Sequence, residues 1–310
     1  MGNKALVDNR YDQAVEFYTL SLKEDPSYAL ALNNRGVAKI ELGHQYEAIL
    51  DYNQALTINN QYMDALLNRA YAYEAIGQFE KALSDVGSVE SMNPDSSFVH
   101  FYKGLVLTKL RRYDEAYEAF LVSDSLNPMN PETIINIATI HYFKEDYDKA
   151  TQLAQKSLAL AVNDPNAFNL LSLVALEQGK YAAALANINR ALDEVPEEPY
   201  FLNNRGYIYL QLDSLDRAIS DINESIVQNP KNGWAYRNKG LFWIKKGDYE
   251  EAIRLLNLAL ETGEFIDEIY VHLGEAYLRN NDLESACRAW QQGANIGEKQ
   301  CEVLLSQNCD

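Results

Sequence analysis

An alanine recurs every 34 residues along the chain, with no insertion or deletion between its occurrences. These alanines are Ala14, Ala48, Ala82, Ala116, Ala150, Ala184, Ala218, Ala252 and Ala286. A second column with the same spacing holds only small residues, namely Gly2, Gly36, Ala70, Gly104, Ala138, Ser172, Gly206, Gly240 and Gly274. Two columns that stay in phase indicate a tandem array of one supersecondary unit.

Counting from Ala29, the period divides the chain into complete units and two shorter ends. The complete units are 29–62, 63–96, 97–130, 131–164, 165–198, 199–232, 233–266 and 267–300. Residues 1–28 are a truncated unit, and we expect residues 301–310 to form a C-terminal capping helix and tail. The unbroken period predicts a single array over residues 1–300.

Each unit is predicted to contain two helices. The break between them carries a glycine in four units, Gly43, Gly77, Gly179 and Gly247, where a helix end favours a residue that tolerates positive φ. The second helix ends at a proline in five units, Pro26, Pro94, Pro128, Pro196 and Pro230, because proline cannot continue a helix.

These positions carry a family resemblance. Small residues stand at the eighth and twentieth positions of the unit, glycine at the fifteenth, an aromatic residue at the seventeenth (for example Tyr113 and Tyr249) and proline at the thirty-second. The chain therefore resembles the tetratricopeptide repeat (TPR) family. The resemblance implies an all-α fold, a right-handed α-solenoid superhelix of about nine helix-turn-helix units, and a role in protein binding.

Arginine and aspartate occur together in three units. The seventh position is Arg35, Arg69 or Arg205, and the twenty-third position of the same units is Asp51, Asp85 or Asp221. Units without arginine at the seventh position have no aspartate at the twenty-third. We therefore predict an ion pair between the two helices of each of these units, since a guanidinium fork suits a carboxylate.

The second, sixth, ninth and thirteenth positions share one face of each first helix. By resemblance to the family, this inner face is the ligand surface. Its sixth position is asparagine in five units, Asn34, Asn68, Asn136, Asn204 and Asn238. A column of carboxamides suits an extended peptide, because each offers a donor and an acceptor to the backbone. The alternative is a tolerated polar residue that faces water.

The stronger local signal lies in the last complete units. The inner face there carries Tyr200, Tyr207, Trp234 and Leu241 with Asn204 and Asn238, and Lys245 flanks them. Aromatic residues with carboxamides among them are typical of binding hot spots. The alternative is that these aromatic residues pack against the adjacent unit. A smaller apolar patch on the same face comprises Phe98, Tyr102 and Leu105.

The residues favour a non-catalytic scaffold that binds a protein or peptide in the concave groove. The second hypothesis is a chaperone adaptor with a carboxylate clamp. It is disfavoured because such a clamp needs basic residues where this chain has Trp234, Glu268 and His272. A third reading is the repeat part of a larger enzyme or membrane-anchored protein. The four histidines lie in different units, and no phosphate loop or nucleophile elbow occurs, so the chain itself is predicted to be no enzyme and to need no cofactor or metal.

The composition restricts the partners further. A formal net charge of −18 makes nucleic acid an unexpected partner, since phosphate binding needs clustered lysine and arginine. No apolar run has the length of a membrane span. The three cysteines form neither a CxxC motif nor a dense pattern, so neither a disulfide framework nor a zinc site is expected. Such a composition suits a reducing cytoplasm, and an exported scaffold without its leader fits nearly as well.

The N-terminal end lacks the first residues of a unit, so its apolar side has no covering helix. We expect residues 1–8 either to fray or to pack against a second copy of the chain, which would give a homodimer.

Overall fold

The structure is a computed structural model and describes residues 1–309. This part of the chain forms nineteen helices and no strand, which confirms the predicted all-α fold. The helices form two compact units, one spanning Met1–Leu160 and one beginning at Ala161. Each unit is an α-solenoid in which helical hairpins stack on one another.

The first compact unit contains ten helices. They are α1 (Gly2–Val7), α2 (Tyr11–Glu24), α3 (Ala29–Glu41), α4 (Gln45–Ile58), α5 (Met63–Ala75), α6 (Phe79–Met92), α7 (Ser97–Lys109), α8 (Tyr113–Leu126), α9 (Pro131–Phe143) and α10 (Tyr147–Leu160).

The second compact unit contains nine helices within the described residues. They are α11 (Pro165–Glu177), α12 (Tyr181–Glu194), α13 (Pro199–Gln211), α14 (Leu215–Gln228), α15 (Gly233–Lys246), α16 (Tyr249–Glu261), α17 (Ile269–Arg279), α18 (Leu283–Asn295) and α19 (Lys299–Asn308).

The turn inside each hairpin depends on one left-handed residue at the fifteenth position. Gly43 has a φ of 77° and Gly247 a φ of 80°, as the glycine pattern predicts. Units without glycine keep the same conformation, with φ values of 59° at Arg111 and 55° at Asp213. The backbone conformation is thus retained even where the residue that favours it is absent.

The small residue at the eighth position lets the two helices of a hairpin approach closely. A Cβ atom added to Gly36 would lie 2.5 Å from Cε1 of Tyr52, which is buried in the facing helix. The aromatic ring therefore occupies the space that any larger residue at this position would need.

The predicted arginine–aspartate pairs are confirmed in all three hairpins. The pairs are bidentate, with Nε and Nη2 of Arg35, Arg69 and Arg205 lying 2.6–2.9 Å from the carboxylate oxygens of Asp51, Asp85 and Asp221 respectively. Their geometry accounts for the joint occurrence of the two residue types.

Each of these arginines also reaches the preceding hairpin. The third guanidinium nitrogen, Nη1, donates to the twenty-fifth position of the preceding unit. The acceptors are Thr19 at 3.2 Å for Arg35, Asn53 at 2.7 Å for Arg69 and Asn189 at 3.2 Å for Arg205. One side chain thus joins three helices.

The final helix, α19, packs on α18 through Cys301, which is fully buried, and through Leu304 and Leu305. A disulfide joins Cys287 of α18 to Cys309, and their Cα atoms are 5.8 Å apart. The cysteine spacing did not predict this bond, because α18 and α19 bring together two residues that are 22 positions apart in sequence. Asp310, the last residue of the predicted tail, lies outside the described residues.

No helix in residues 1–309 combines the length and the apolar character that crossing a bilayer requires.

Candidate functional site

A cavity of about 550 Å³ lies in the second compact unit beside the first helices of three successive hairpins. Its wall includes Tyr207 and Gln211 of α13, Leu241 and Lys245 of α15, and His272, Glu275 and Arg279 of α17. Most of these residues stand at the ninth or thirteenth position of their units. Successive first helices therefore present the same face to this cavity.

Charged side chains on the cavity wall make ion pairs close to solvent. Nζ of Lys245 lies 3.4 Å from Oδ1 of Asp213, and Nη2 of Arg279 lies 2.7 Å from Oε1 of Glu275. A hydrogen bond with Tyr249, followed by the charge of Glu275, raises the pKa of Arg279. Because such exposed pairs are weak, their cations remain available to a bound anion.

Arg237 of α15 contacts two cavity residues, Tyr207 and His272, and is only 5% exposed. Its guanidinium carbon is 5.2 Å from the centre of the Tyr207 ring and 5.5 Å from that of Trp234. Its nearest carboxylate, that of Glu268, is 3.7 Å away. The cation thus lies against two aromatic rings and donates to Asn238 and His272, in contrast to the bidentate arginine–aspartate pairs.

The imidazole of His272 has a defined tautomer. Nη2 of Arg237 lies 3.3 Å from Nε2 of His272, and since arginine can only donate, Nε2 is the acceptor and the proton is on Nδ1. Burial, followed by the charge of Arg237, lowers the pKa of His272 to about 3, so the ring is neutral at pH 7. Nδ1 is buried and has no hydrogen-bond partner among residues 1–309.

Of the predicted aromatic site residues, Tyr207 lines the cavity, whereas Trp234 and Tyr200 do not. Trp234 contacts Arg237 and is half-buried. Tyr200 is 40% exposed, and its hydroxyl donates to Oε1 of Glu264 at 3.2 Å. Burial, followed by the charge of Glu264, raises the pKa of Tyr200 to about 12. Lys245, predicted to flank this group, lies on the cavity wall.

Four of the five predicted inner-face asparagines form bonds between neighbouring hairpins, and three of them follow one pattern. Each of these three donates from Nδ2 to the carboxamide oxygen at the fifth position of the preceding unit: Asn68 to Asn33 at 3.0 Å, Asn204 to Asn169 at 2.9 Å, and Asn238 to Asn203 at 2.8 Å. This structural role was not predicted from the sequence. Asparagine at the fifth position of each preceding unit was the signal that could have revealed it.

The remaining two asparagines have different partners. Nδ2 of Asn34 donates to Oδ1 of Asn3 at 3.3 Å, and Nδ2 of Asn136 donates to the carbonyl of Glu132 in its own helix at 2.8 Å. Asn238 is the most enclosed of the column at 1% exposure, and its Oδ1 also accepts from Arg237 at 3.1 Å. Its carboxamide is therefore occupied within the protein.

A separate aromatic patch lies in the first compact unit. The ring of Tyr102 lies 4.4 Å from that of Tyr71 and 6.4 Å from that of Phe98. The hydroxyl of Tyr102 donates to Oε2 of Glu74 at 2.9 Å. Phe98 and Tyr71 are exposed, whereas Tyr102 is buried. Tyr71 thus joins the predicted patch, and Leu105 is partly buried and packs against the core.

The residues that the structure describes contain no group of three or more histidine, cysteine, aspartate or glutamate side chains placed to hold a metal ion.

Two sequence models described as tetratricopeptide repeat match the chain. One matches residues 67–131, 169–233 and 244–296, and the other matches residues 29–62.

Several known proteins are similar to this chain. Human tetratricopeptide repeat protein 6 is 30% identical over 44% of the chain and 26% of its own length. Mouse DnaJ homolog subfamily C member 7 is 33% identical over 36% of the chain and 24% of its own length. The matched part of the chain therefore spans about a quarter of each of these relatives.

Among solved structures, a tetratricopeptide repeat protein from Parabacteroides merdae has a similar fold. It is 19% identical, the TM-score is 0.53, and the match covers 89% of this chain and 95% of that one.

Proposed function

Because this chain belongs to the tetratricopeptide repeat family, we propose that it is a non-catalytic scaffold that binds an extended segment of a partner protein on the inner face of its first helices. The observation that carries this proposal is the cavity beside α13, α15 and α17, whose wall includes the ninth and thirteenth positions of three successive units. A surface that repeats from one helix to the next suits a ligand that is itself extended.

The chemistry of the cavity supports a peptide ligand. Tyr207 and Leu241 supply apolar area, while Gln211, Lys245 and Arg279 supply polar contacts around it. Binding sites commonly combine a mostly apolar surface with a few polar groups that fix orientation. Since their carboxamides bond to neighbouring units, Asn204 and Asn238 support this surface from behind rather than serving as its main contacts.

We propose a protein partner rather than nucleic acid, because the chain carries a formal net charge of −18 and would repel a phosphate backbone. The carboxylate-clamp adaptor is less well supported. The inner-face positions that follow Asn238 are Glu268 and His272, where such a clamp needs cations.

Affinity capture followed by mass spectrometry tests the scaffold proposal. The intact chain is compared with a Tyr207→Ala, Lys245→Glu double variant. A Tyr46→Ala variant is the control, since Tyr46 is 69% exposed on α4, in the other compact unit. Circular dichroism confirms that all three chains are folded. We expect partners that the parent and the control retain and the double variant loses. Equal recovery by all three would exclude the cavity as the binding surface.

A homodimer through the N-terminal end is a further part of this proposal. Val7 is an exposed apolar residue at the end of α1, which is consistent with contact to a second copy. Light scattering of the purified chain distinguishes the two states. A Val7→Asp variant should convert a dimer to a monomer, and a monomeric parent would rule the dimer out.

A further inference from the structure

We infer that the cavity beside α13, α15 and α17 receives an acidic side chain of the bound partner segment, with Nδ1–H of His272 as the hydrogen-bond donor and Lys245 and Arg279 as the compensating charges. This inference rests on the proposed scaffold function and specifies what the partner must carry.

The first observation is an unpartnered donor. His272 lines the cavity, and its Nδ1 is buried with no hydrogen-bond partner in residues 1–309. The tautomer follows from geometry, because Nη2 of Arg237 lies 3.3 Å from Nε2 and only the latter can accept. A buried donor without an acceptor is unfavourable, and a ligand would relieve this once the cavity wall moves enough to admit an acceptor to Nδ1, which is closed to solvent in the unliganded protein.

The second observation concerns the group behind the histidine. Arg237 is buried, and its Nε has no hydrogen-bond partner within the described chain. Among residues 1–309 it has one ion pair, with Glu268, in which the two groups are 3.7 Å apart. This positive charge is therefore incompletely neutralised in the unliganded protein. It polarises the imidazole toward donation, and an anion in the cavity would be attracted by it.

The third observation is the charge of the cavity wall. Three cations, Lys245, Lys246 and Arg279, line the cavity together with one carboxylate, that of Glu275. Arg279 pairs with Glu275, and Lys245 lies 3.4 Å from Asp213 beside the cavity, so the cations still outnumber the carboxylates. The chain as a whole has a formal net charge of −18. A locally cationic cavity in an acidic protein is complementary to an anionic ligand.

The surface favours a side chain over a chain terminus. Tyr207 and Gln211 of α13 lie on one wall, and Glu275 and Arg279 of α17 lie on another, with α15 between them. The inner face continues past the cavity to the exposed ring of Tyr200. A segment that follows this face extends beyond the cavity in at least one direction, so we assign the carboxylate to an aspartate or glutamate within the segment.

Small blocked amino acids test this chemistry without a known partner. The probes are N-acetyl-glutamate N-methylamide, its neutral isostere N-acetyl-glutamine N-methylamide, N-acetyl-alanine as a terminal carboxylate, and inorganic phosphate. Each is titrated at pH 7 into the full chain labelled with ¹⁵N, and the side-chain nitrogens of His272 and Arg237 are followed by NMR.

We expect saturable shifts of Nδ1 of His272 with the glutamate probe and none with its glutamine isostere. Both His272→Leu and Lys245→Met should weaken glutamate binding about tenfold, the effect of one charge-assisted hydrogen bond or ion pair. Lys231→Met is the matched control, because it removes an exposed lysine that does not line the cavity, and it should leave binding unchanged.

Three results would overturn the inference: equal binding of glutamate and glutamine probes, tighter binding of phosphate or of the terminal carboxylate, or glutamate binding that Lys245→Met does not weaken. The comparison of probes on the parent chain needs no variant, so a misfolded His272→Leu chain leaves the test intact. If the probes fail but the Tyr207→Ala, Lys245→Glu variant still loses its partners, only the acidic side chain is excluded and the scaffold function stands.

Discussion

Arg205 and Asp221 form a bidentate ion pair between α13 and α14, with distances of 2.6 Å from Nε to Oδ2 and 2.9 Å from Nη2 to Oδ1. The Asp221 side chain is largely buried, so little water can reach its carboxylate. The pair therefore acts within the solenoid, and the arginine is not free to bind a ligand.

Replacing Arg205 should destabilise the second compact unit. Arg205→Ala leaves the Asp221 carboxylate buried without its cation, and we expect a loss of about 2 kcal/mol in the free energy of unfolding. Arg254→Ala is the control, because Arg254 pairs with Glu251 at the surface, and it should cost about 0.5 kcal/mol or less. Urea denaturation measures both. Similar losses in the two variants would contradict the structural role of the Arg205 pair.

Two glycines of the first compact unit should respond oppositely to alanine. A Cβ atom at Gly36 would overlap the Tyr52 ring, so Gly36→Ala should cost about 2 kcal/mol. Nothing lies within 4 Å of the corresponding atom at Gly87 in the middle of α6, so Gly87→Ala should stabilise the helix by about 0.5–1 kcal/mol. Thermal and urea unfolding check both signs, and a stabilising Gly36→Ala would refute the packing argument.

The asparagines of the sixth position should differ in how much they contribute to the free energy of unfolding. Asn238→Ala removes a buried bond to Asn203 and leaves the latter's oxygen without its donor, which should cost about 1–3 kcal/mol. Asn136 bonds only to a carbonyl of its own helix near the surface, so Asn136→Ala should change stability by less than about 0.5 kcal/mol. Urea denaturation measures both changes. Equal losses of unfolding free energy in the two variants would show that the bond between hairpins adds no more stability than the bond within one helix.

His272 should make stability depend on pH. Its pKa is lowered from 6.5 to about 3 by burial and by Arg237, so on acidification the unfolded chain binds the proton before the folded chain does. Stability is therefore lost as the pH falls from about 6.5 towards about 3. Between pH 7 and pH 5 the loss is about 2 kcal/mol.

The variant His272→Gln keeps an acceptor for Arg237 and does not titrate. Arg237 and Glu268, the charged groups nearest the imidazole, are present in both proteins. Between pH 7 and pH 5 the parent should therefore lose about 2 kcal/mol more of its unfolding free energy than the variant does. Parallel stability curves over this pH range would show that the folded protein protonates the ring normally.

The disulfide should be detectable by counting thiols. Alkylation of the denatured, unreduced chain should label Cys301 alone, and reduction should raise the number of labelled cysteines to three. Reduction, or Cys309→Ser, should lower the stability of the α18–α19 pair by about 3 kcal/mol, because a loop of this length is released in the unfolded state. Three labels without reductant would show that the bond does not form.

The sequence predicted the repeating helical hairpin and the Arg205–Asp221 pair because both leave a periodic trace. The bond from Asn238 to Asn203 leaves the same kind of trace, but it was not predicted, because the sixth position was assigned to the ligand surface and the fifth position to no contact. Arg237 stands at that position too. The disulfide has no periodic counterpart, because Cys309 follows the last repeat, and only the packing of α19 on α18 brings it near Cys287.

The cavity itself was only partly foreseeable. Helical spacing placed Tyr207 on the inner face with Lys245 beside it, but the sequence singled out His272 only as a residue that stands where a carboxylate clamp needs a basic one. Its role depends on the distance to Arg237 in the neighbouring helix, and on burial that a helical period does not specify. Pairwise geometry between units was therefore the missing information.

The hydrogen bond from Arg69 to Asn53 restricts which repeat can precede another in the array. Nη1 of an arginine at the seventh position has a hydrogen-bond acceptor only when the preceding repeat carries a polar residue at its twenty-fifth position. Thr19, Asn53 and Asn189 are these acceptors. Moving such a unit behind one with Leu121 or Gly87 at that place would leave a donor unmatched. The order of the units is thus written into their side chains, and shuffled arrays of the same units would not be equivalent proteins.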